Sequence, residues 1–227
     1  DFGWSNINLQ IHSTAQAIQC AKKLSLKYLA KTRTDCRVYS PNFLIYCKTL
    51  LELFPINNNK NARIISTDHS GKHMPYKLGD IFQFGRLEEM ELFWKESYWE
   101  NDIKKIYSGK KIINDTPVVS EIYLTTKYLI NLKYVLKWDL ECWWRSLKDF
   151  FIIIDSNSID LFWYKYNFEF EQRGNRAYAS YSPKAISHSD WLLMYSNKVD
   201  NWRLINDPAF QERWKINENG FFSKKKN

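Results

Sequence analysis

Asp35 sits in the run Lys31-Thr32-Arg33-Thr34-Asp35-Cys36-Arg37, directly after the mostly apolar stretch Leu26 to Ala30. A strand ending in such a cluster places its charges where open α/β sheets bind ligands, outside the carboxyl ends of the strands. A carboxylate there can hold a divalent cation, and flanking guanidiniums can grip phosphate bidentately. That chemistry suits a nucleotide-diphosphate donor. The same residue types also describe an exposed turn with a surface ion pair. Arg33, Asp35 and Arg37 occupy alternate positions, so all three project on one face if the strand continues that far.

Further residues able to do chemistry are scattered along the chain. Asp68, His69, His73 and Asp80 fall within one loop and its exit. A D-H-x₃-H spacing is a weak zinc signal, because no third ligand follows at a recognised distance. Asp80 follows Gly79, where aspartate is also a common turn residue. Asn6 and Gln10 are i, i+4 neighbours on a predicted helix and can either contact a ligand or form a solvated polar face. Glu121 sits early in a predicted helix, where the positive end of the helix dipole favours a carboxylate without any catalytic role. Asp155 is another carboxylate at a strand end.

The elements that must position these residues follow from periodicity. Ile7, Ile11, Ala15, Ile18, Ala21 and Leu24 recur at three- and four-residue steps, predicting a helix over about 5–25 with Ser5 as its N-cap. A strand over 26–32 follows, then a helix over 43–54 after Pro41, stopped by Pro55. Short strands are predicted at 62–66 and 81–84, separated by Thr67 to Gly79, whose Gly, Pro and mixed charge suggest a mobile active-site loop. Helices are expected over 87–99, 118–134 and 138–148, and near 187–195. Between the last two, Phe150 to Ile154 reads as a buried strand. This alternation, without internal repeat or dividing linker, argues for an α/β domain over residues 1–205 followed by a tail at 206–227.

The chain has 227 residues, enough for one α/β domain with a full core. Its net charge of +8 favours polyanionic partners: phosphorylated donors, an anionic membrane face or nucleic acid. No helix-turn-helix, zinc-finger or RNA-recognition pattern is present. The four cysteines form no C-x-x-C pair, which fits free thiols in a reducing cytoplasm. No apolar run reaches transmembrane length. Ten tryptophans suit both sugar stacking and an aromatic core.

Three segments occur in a telling order: Asn6-Ile7-Asn8-Leu9-Gln10-Ile11-His12-Ser13-Thr14, then Lys31 to Arg37, then Gly79-Asp80-Ile81-Phe82-Gln83-Phe84-Gly85. Together they resemble the WavE-type family of lipopolysaccharide and capsule biosynthesis proteins. The likeness runs from about Phe2 to Trp94 and more loosely to Tyr195. It implies a GT-A-like (Rossmann-like) mixed sheet flanked by helices and a glycosyltransferase using a nucleotide-sugar donor and a lipid-linked glycan acceptor. It implies donor binding by Asn6, Gln10, Lys31, Arg33, Asp35 and Arg37, with Asp35 where GT-A enzymes carry their Asp-x-Asp metal motif. Here position 37 is Arg, so Mg²⁺ or Mn²⁺ would have one acidic ligand, or the arginines would replace the metal's charge. Asp80 and Glu121 become the acceptor-contacting or catalytic carboxylates, Asp80 as a base beside the acceptor hydroxyl. GT-A enzymes place a first strand before the helix that opens this chain, so an N-terminal piece is expected to be missing. The resemblance further implies a cytoplasmic enzyme, peripheral at the inner membrane, with Lys224 to Lys226 beside Phe221 and Phe222 able to meet anionic headgroups. No nucleic-acid partner is expected. The rival from another class is a non-catalytic nucleic-acid or polyanion-binding protein, motivated by the charge and the aromatics.

Overall fold

The apolar run Phe151-Ile152-Ile153-Ile154 forms a fully buried strand at one end of the main sheet. The computed structural model describes residues 6–56, 62–72, 74–95, 120–163 and 185–196, and the backbone of 214–216 and 222–224. In chain order these contain α1 (Ile7–Lys23), β1 (Tyr28–Thr32), β2 (Cys36–Val38), α2 (Phe43–Leu53), β3 (Ile64–Thr67), β4 (Phe82–Arg86) and α3 (Leu87–Phe93). After these come α4 (Ser120–Asn131), α5 (Leu140–Phe150), β5 (Phe151–Ile154), a 3₁₀ turn (Ser156–Ile159), β6 (Leu161–Trp163), α6 (His188–Tyr195), β7 (Trp214–Ile216) and β8 (Phe222–Lys224).

The main sheet is mixed, in the order β1-β4-β3-β5. β4 runs antiparallel to both neighbours, with Thr32 opposite Phe82 and Ser66 opposite Gln83. β3 and β5 are parallel, Ile64 to Thr67 facing Phe151 to Ile154. β1, β3 and β5 therefore point the same way, and their carboxyl ends share one end of the sheet with the amino end of β4. β2 and β6 form a separate antiparallel pair, as do β7 and β8 in the tail.

The helices cover the sheet as their apolar periods dictate. α1 buries Ile7, Ile11, Ile18 and Ala21 and packs against α3 and β1, while α5 and α6 pack against β5. Every residue of β3 and β5 is buried, as expected of strands covered on both faces. Arg63 ties this layer together: its guanidinium donates to the carbonyls of Phe54 and Pro55, ending α2, and to the carbonyl of Lys148 on α5. All four cysteines are free thiols; Cys20 is exposed, and burial pushes Cys36 and Cys47 up to about 12. Among the described residues no helix is long and apolar enough to cross a membrane.

Several expectations are revised. The helix from Leu87 closes at Phe93, with Trp94 as its C-cap, and 96–99 lie outside the described residues. β1 stops at Thr32, a turn closes through Cys36 N donating to the Arg33 carbonyl, and a second strand begins. The segment from Thr67 to Gly79, read as mobile, is packed in its described part: Tyr76 and Leu78 are buried, and Tyr76 lies edge-on to Trp138 and Trp143. Its polar groups are satisfied inside, Gly71 N donating to the Lys77 carbonyl and Ser70 Oγ to the Thr67 carbonyl. Ser5, His73 and the loop at 57–61 lie outside the described residues.

Candidate functional site

Sheet polarity gathers most of the chemistry-bearing residues at one end. Lys31 to Asp35 close β1, Asp68 and His69 follow β3, Asp155 and Ser156 follow β5, and Asp80 leads into β4. Lys31 Nζ donates to the Asp80 backbone carbonyl at 2.5 Å and lies 4.7 Å from the centre of the Trp94 ring. Burial lowers the pKa of the Lys31 ammonium, while the Asp80 and Glu121 carboxylates act in the opposite direction. Arg33, whose pKa is raised chiefly by its hydrogen bond to Asp35, also feels Asp80.

Asp35 is held by a fork. Arg33 Nε donates to Oδ1 at 2.9 Å and Nη2 to Oδ2 at 3.2 Å, while the Trp163 indole N–H donates to Oδ2 at 3.0 Å. The guanidinium is the main cause that holds the Asp35 carboxyl down at about 2; burial opposes it and the indole helps. Arg37 does not join this group. It lies in β2, exposed, its Nη1 donating to the carbonyls of Thr34 and Cys36. The common face expected for Arg33, Asp35 and Arg37 is lost because the turn breaks the alternation.

A second group completes the sheet end. Asp68 N donates to the Ile154 carbonyl at 2.9 Å, extending the β3–β5 pairing. Ser156 Oγ donates to Asp68 Oδ1, and His69 Nδ1 lies 3.4 Å from the same oxygen. That nitrogen is also 3.1 Å from Thr67 Oγ1 and 3.3 Å from Ser156 Oγ. The Trp163 ring stands edge-on to the His69 ring, centres 5.6 Å apart, so one tryptophan touches both groups. Gly79 is pressed against this group: a Cβ there would meet His69 Cβ at 3.1 Å.

A family model described as WavE lipopolysaccharide synthesis matches residues 4–212. The chain belongs to the WavE family. Neither curated proteins nor solved structures yield a match. The matched region of this WavE chain contains the whole four-stranded sheet and every residue placed above at its end.

The remaining expected residues of the WavE chain stand further out. Asn6 takes a left-handed conformation, φ 61°, at the start of α1, without a side-chain cap. Gln10 lies one turn on, and its Oε1 is buried without a hydrogen-bond partner. Neither Asn6 nor Gln10 hydrogen-bonds to the Arg33–Asp35 fork. Glu121 occupies the first turn of α4 and accepts from Ser120 Oγ at 3.0 Å. Ser156 and Trp163 escape the sequence-based expectation. Ser156 had one available signal, its place right after the strand-end Asp155; Trp163 had none. Among the described residues no three His, Cys, Asp or Glu side chains cluster to hold a metal ion.

Proposed function

We propose that this WavE chain is a GT-A-like glycosyltransferase moving a sugar from a nucleotide-sugar donor to a lipopolysaccharide or capsular acceptor. The observation that carries this reading is the meeting of Lys31, Arg33 and Asp35 with Asp80 at the end of the sheet that holds the carboxyl ends of β1, β3 and β5. Membership of a lipopolysaccharide-synthesis family and a mixed sheet flanked by helices support it.

In the proposed reaction the donor diphosphate lies against Arg33 and Lys31, with the exposed Arg37 at the rim. The acceptor oxygen bonds to the anomeric carbon as the bond from that carbon to the diphosphate oxygen breaks. The acceptor proton passes to the Asp80 carboxylate, with Glu121 as the second acceptor contact. The negative charge developing on the leaving diphosphate falls to the basic side chains, which are already fixed and need not reorganise.

Asp35 fits a divalent cation poorly. A carboxylate offers about four lone-pair directions, and here three are met by Arg33 and Trp163. The same fork supports the alternative in which guanidinium charge replaces the metal, with Asp35 holding Arg33 in place. We place the enzyme on the cytoplasmic face of the inner membrane, where a lipid-linked acceptor and anionic headgroups meet its net charge of +8.

A thermal-shift screen of nucleotide sugars, run beside an oligonucleotide titration at several salt concentrations, tests the reading. Stabilisation by one nucleotide sugar is expected, and persistence of transfer in excess EDTA would support the metal-free form. Tight, salt-sensitive oligonucleotide binding without any donor effect would instead establish the polyanion-binding rival.

A further inference from the structure

Asp68 is 1% exposed, yet only one of its carboxylate oxygens is engaged. Oδ1 accepts from Ser156 and faces His69 Nδ1, whereas Oδ2 is buried without a hydrogen-bond partner. Buried acceptors in folded proteins are almost always satisfied, and leaving one open costs about 1–3 kcal/mol. The unsatisfied oxygen lies at the carboxyl end of β3, beside its parallel neighbour β5, the position at which such sheets take their ligands. The other oxygen, Oδ1, and the His69 imidazole are met by the hydroxyls of Ser156 and Thr67, and the Trp163 indole packs against His69. Ser156 is partly exposed, so the group reaches the surface there.

We propose that Asp68 Oδ2 accepts a hydroxyl of the bound saccharide and so helps to decide which sugar the site takes. The proposal rests on the glycosyltransferase reading and extends it to a residue outside the fork. A carboxylate oxygen accepts and never donates, so it selects a ring that presents O–H in that direction and rejects the deoxy analogue. Ser156 spends its proton on Oδ1, which fixes the carboxylate plane and leaves Oδ2 to the ligand.

Calorimetry on the full chain compares nucleoside diphosphates with their nucleotide sugars, and a series of methyl glycosides, for the native protein and for Asp68→Asn. The sugar-dependent gain in affinity is expected to fall about tenfold to a hundredfold in Asp68→Asn, while the parent nucleoside diphosphate binds unchanged. A monodeoxy series on the native protein gives the same answer if the variant fails to fold: one hydroxyl position should account for the whole loss. Diphosphates and nucleotide sugars binding alike in both proteins, with no hydroxyl position standing out, would overturn the proposal while leaving the transferase reading intact. Methyl glycosides binding to the native protein but not to Asp68→Asn, with no nucleotide effect, would sustain the role of Asp68 and remove the transferase. A native protein that binds no saccharide-bearing probe rejects both.

Discussion

The ammonium of Lys31 rests on the backbone carbonyl of Asp80, joining the end of β1 to the entrance of β4 at the place where the candidate residues meet. Because burial is the larger influence on Lys31, its charged form is disfavoured in the folded protein, and the folded pKa lies below the unfolded 10.5. The resulting penalty is full while Lys31 is charged below its folded pKa and is relieved as pH rises towards the unfolded value. NMR of ¹³C-methylated lysines should show Lys31 titrating below the exposed lysines. A midpoint at or above theirs would mean that the ammonium is not shielded as described.

Asp35→Asn should fold but lose donor-dependent transfer on the order of a hundredfold, by releasing Arg33 from its fixed position. Trp163→Phe, which removes the indole donor to Oδ2 and trims the ring packed against His69, should produce a smaller loss in the same direction. Transfer rates at saturating nucleotide sugar measure both. Near-native turnover in Asp35→Asn would remove the fork from the mechanism.

The same fork has an acid signature. Asp35 is depressed to about 2 when folded, so it contributes stability that is fully present above its unfolded value of 3.8. That contribution is lost as pH falls from there through about 2. Denaturant midpoints measured between neutral and acid pH should decline less steeply in Asp35→Asn than in the native chain. Parallel curves would show that Asp35 is equally paired in the unfolded state.

Gly79→Ala should destabilise by about 1–3 kcal/mol, because the added methyl meets the Cβ and backbone of His69. Gly85→Ala should cost less: its new Cβ would meet Met90 Cγ and Sδ at 3.3 Å, the movable end of a flexible side chain. Urea midpoints decide the order, and a reversal would contradict the packing of the Asp68–His69 segment under Gly79.

Arg63→Met should cost on the order of 3 kcal/mol, since three carbonyls lose a charged donor in a buried setting. Thermal unfolding measures it, and a neutral outcome would show that water replaces the guanidinium at the end of α2.

Much of the architecture could be read from local pattern. The spacing of Ile7, Ile11 and Ile18 marks α1, and the unbroken apolar run of Phe151 to Ile154 marks β5. The charged end of β1 was visible for the same reason, as the abrupt edge of an apolar stretch. Other features depend on contacts that no local window contains. β2 has three residues, too few to show a period, and its partner β6 comes from the far part of the chain. The segment after Thr67 carries loop-like residue types, but its polar groups are matched internally and its Tyr76 fills space between Trp138 and Trp143. Residue type marks Asp35 as a donor or metal contact, but it does not show that its partners include a guanidinium two positions before it and a distant indole.

Two contacts bear on how this site comes into being. The Ser156–Asp68 bond spans 88 positions and the Trp163–Asp35 bond 128. The entropy of closing such loops grows only slowly with length, but long-range contacts delay folding. These two closing contacts of the site thus span more of the chain than the β1–β4 pairing does. Local opening of the β2–β6 pair would release Trp163 and disarm both halves of the site while the four-stranded sheet stayed intact. Activity should accordingly disappear on warming before the main sheet melts.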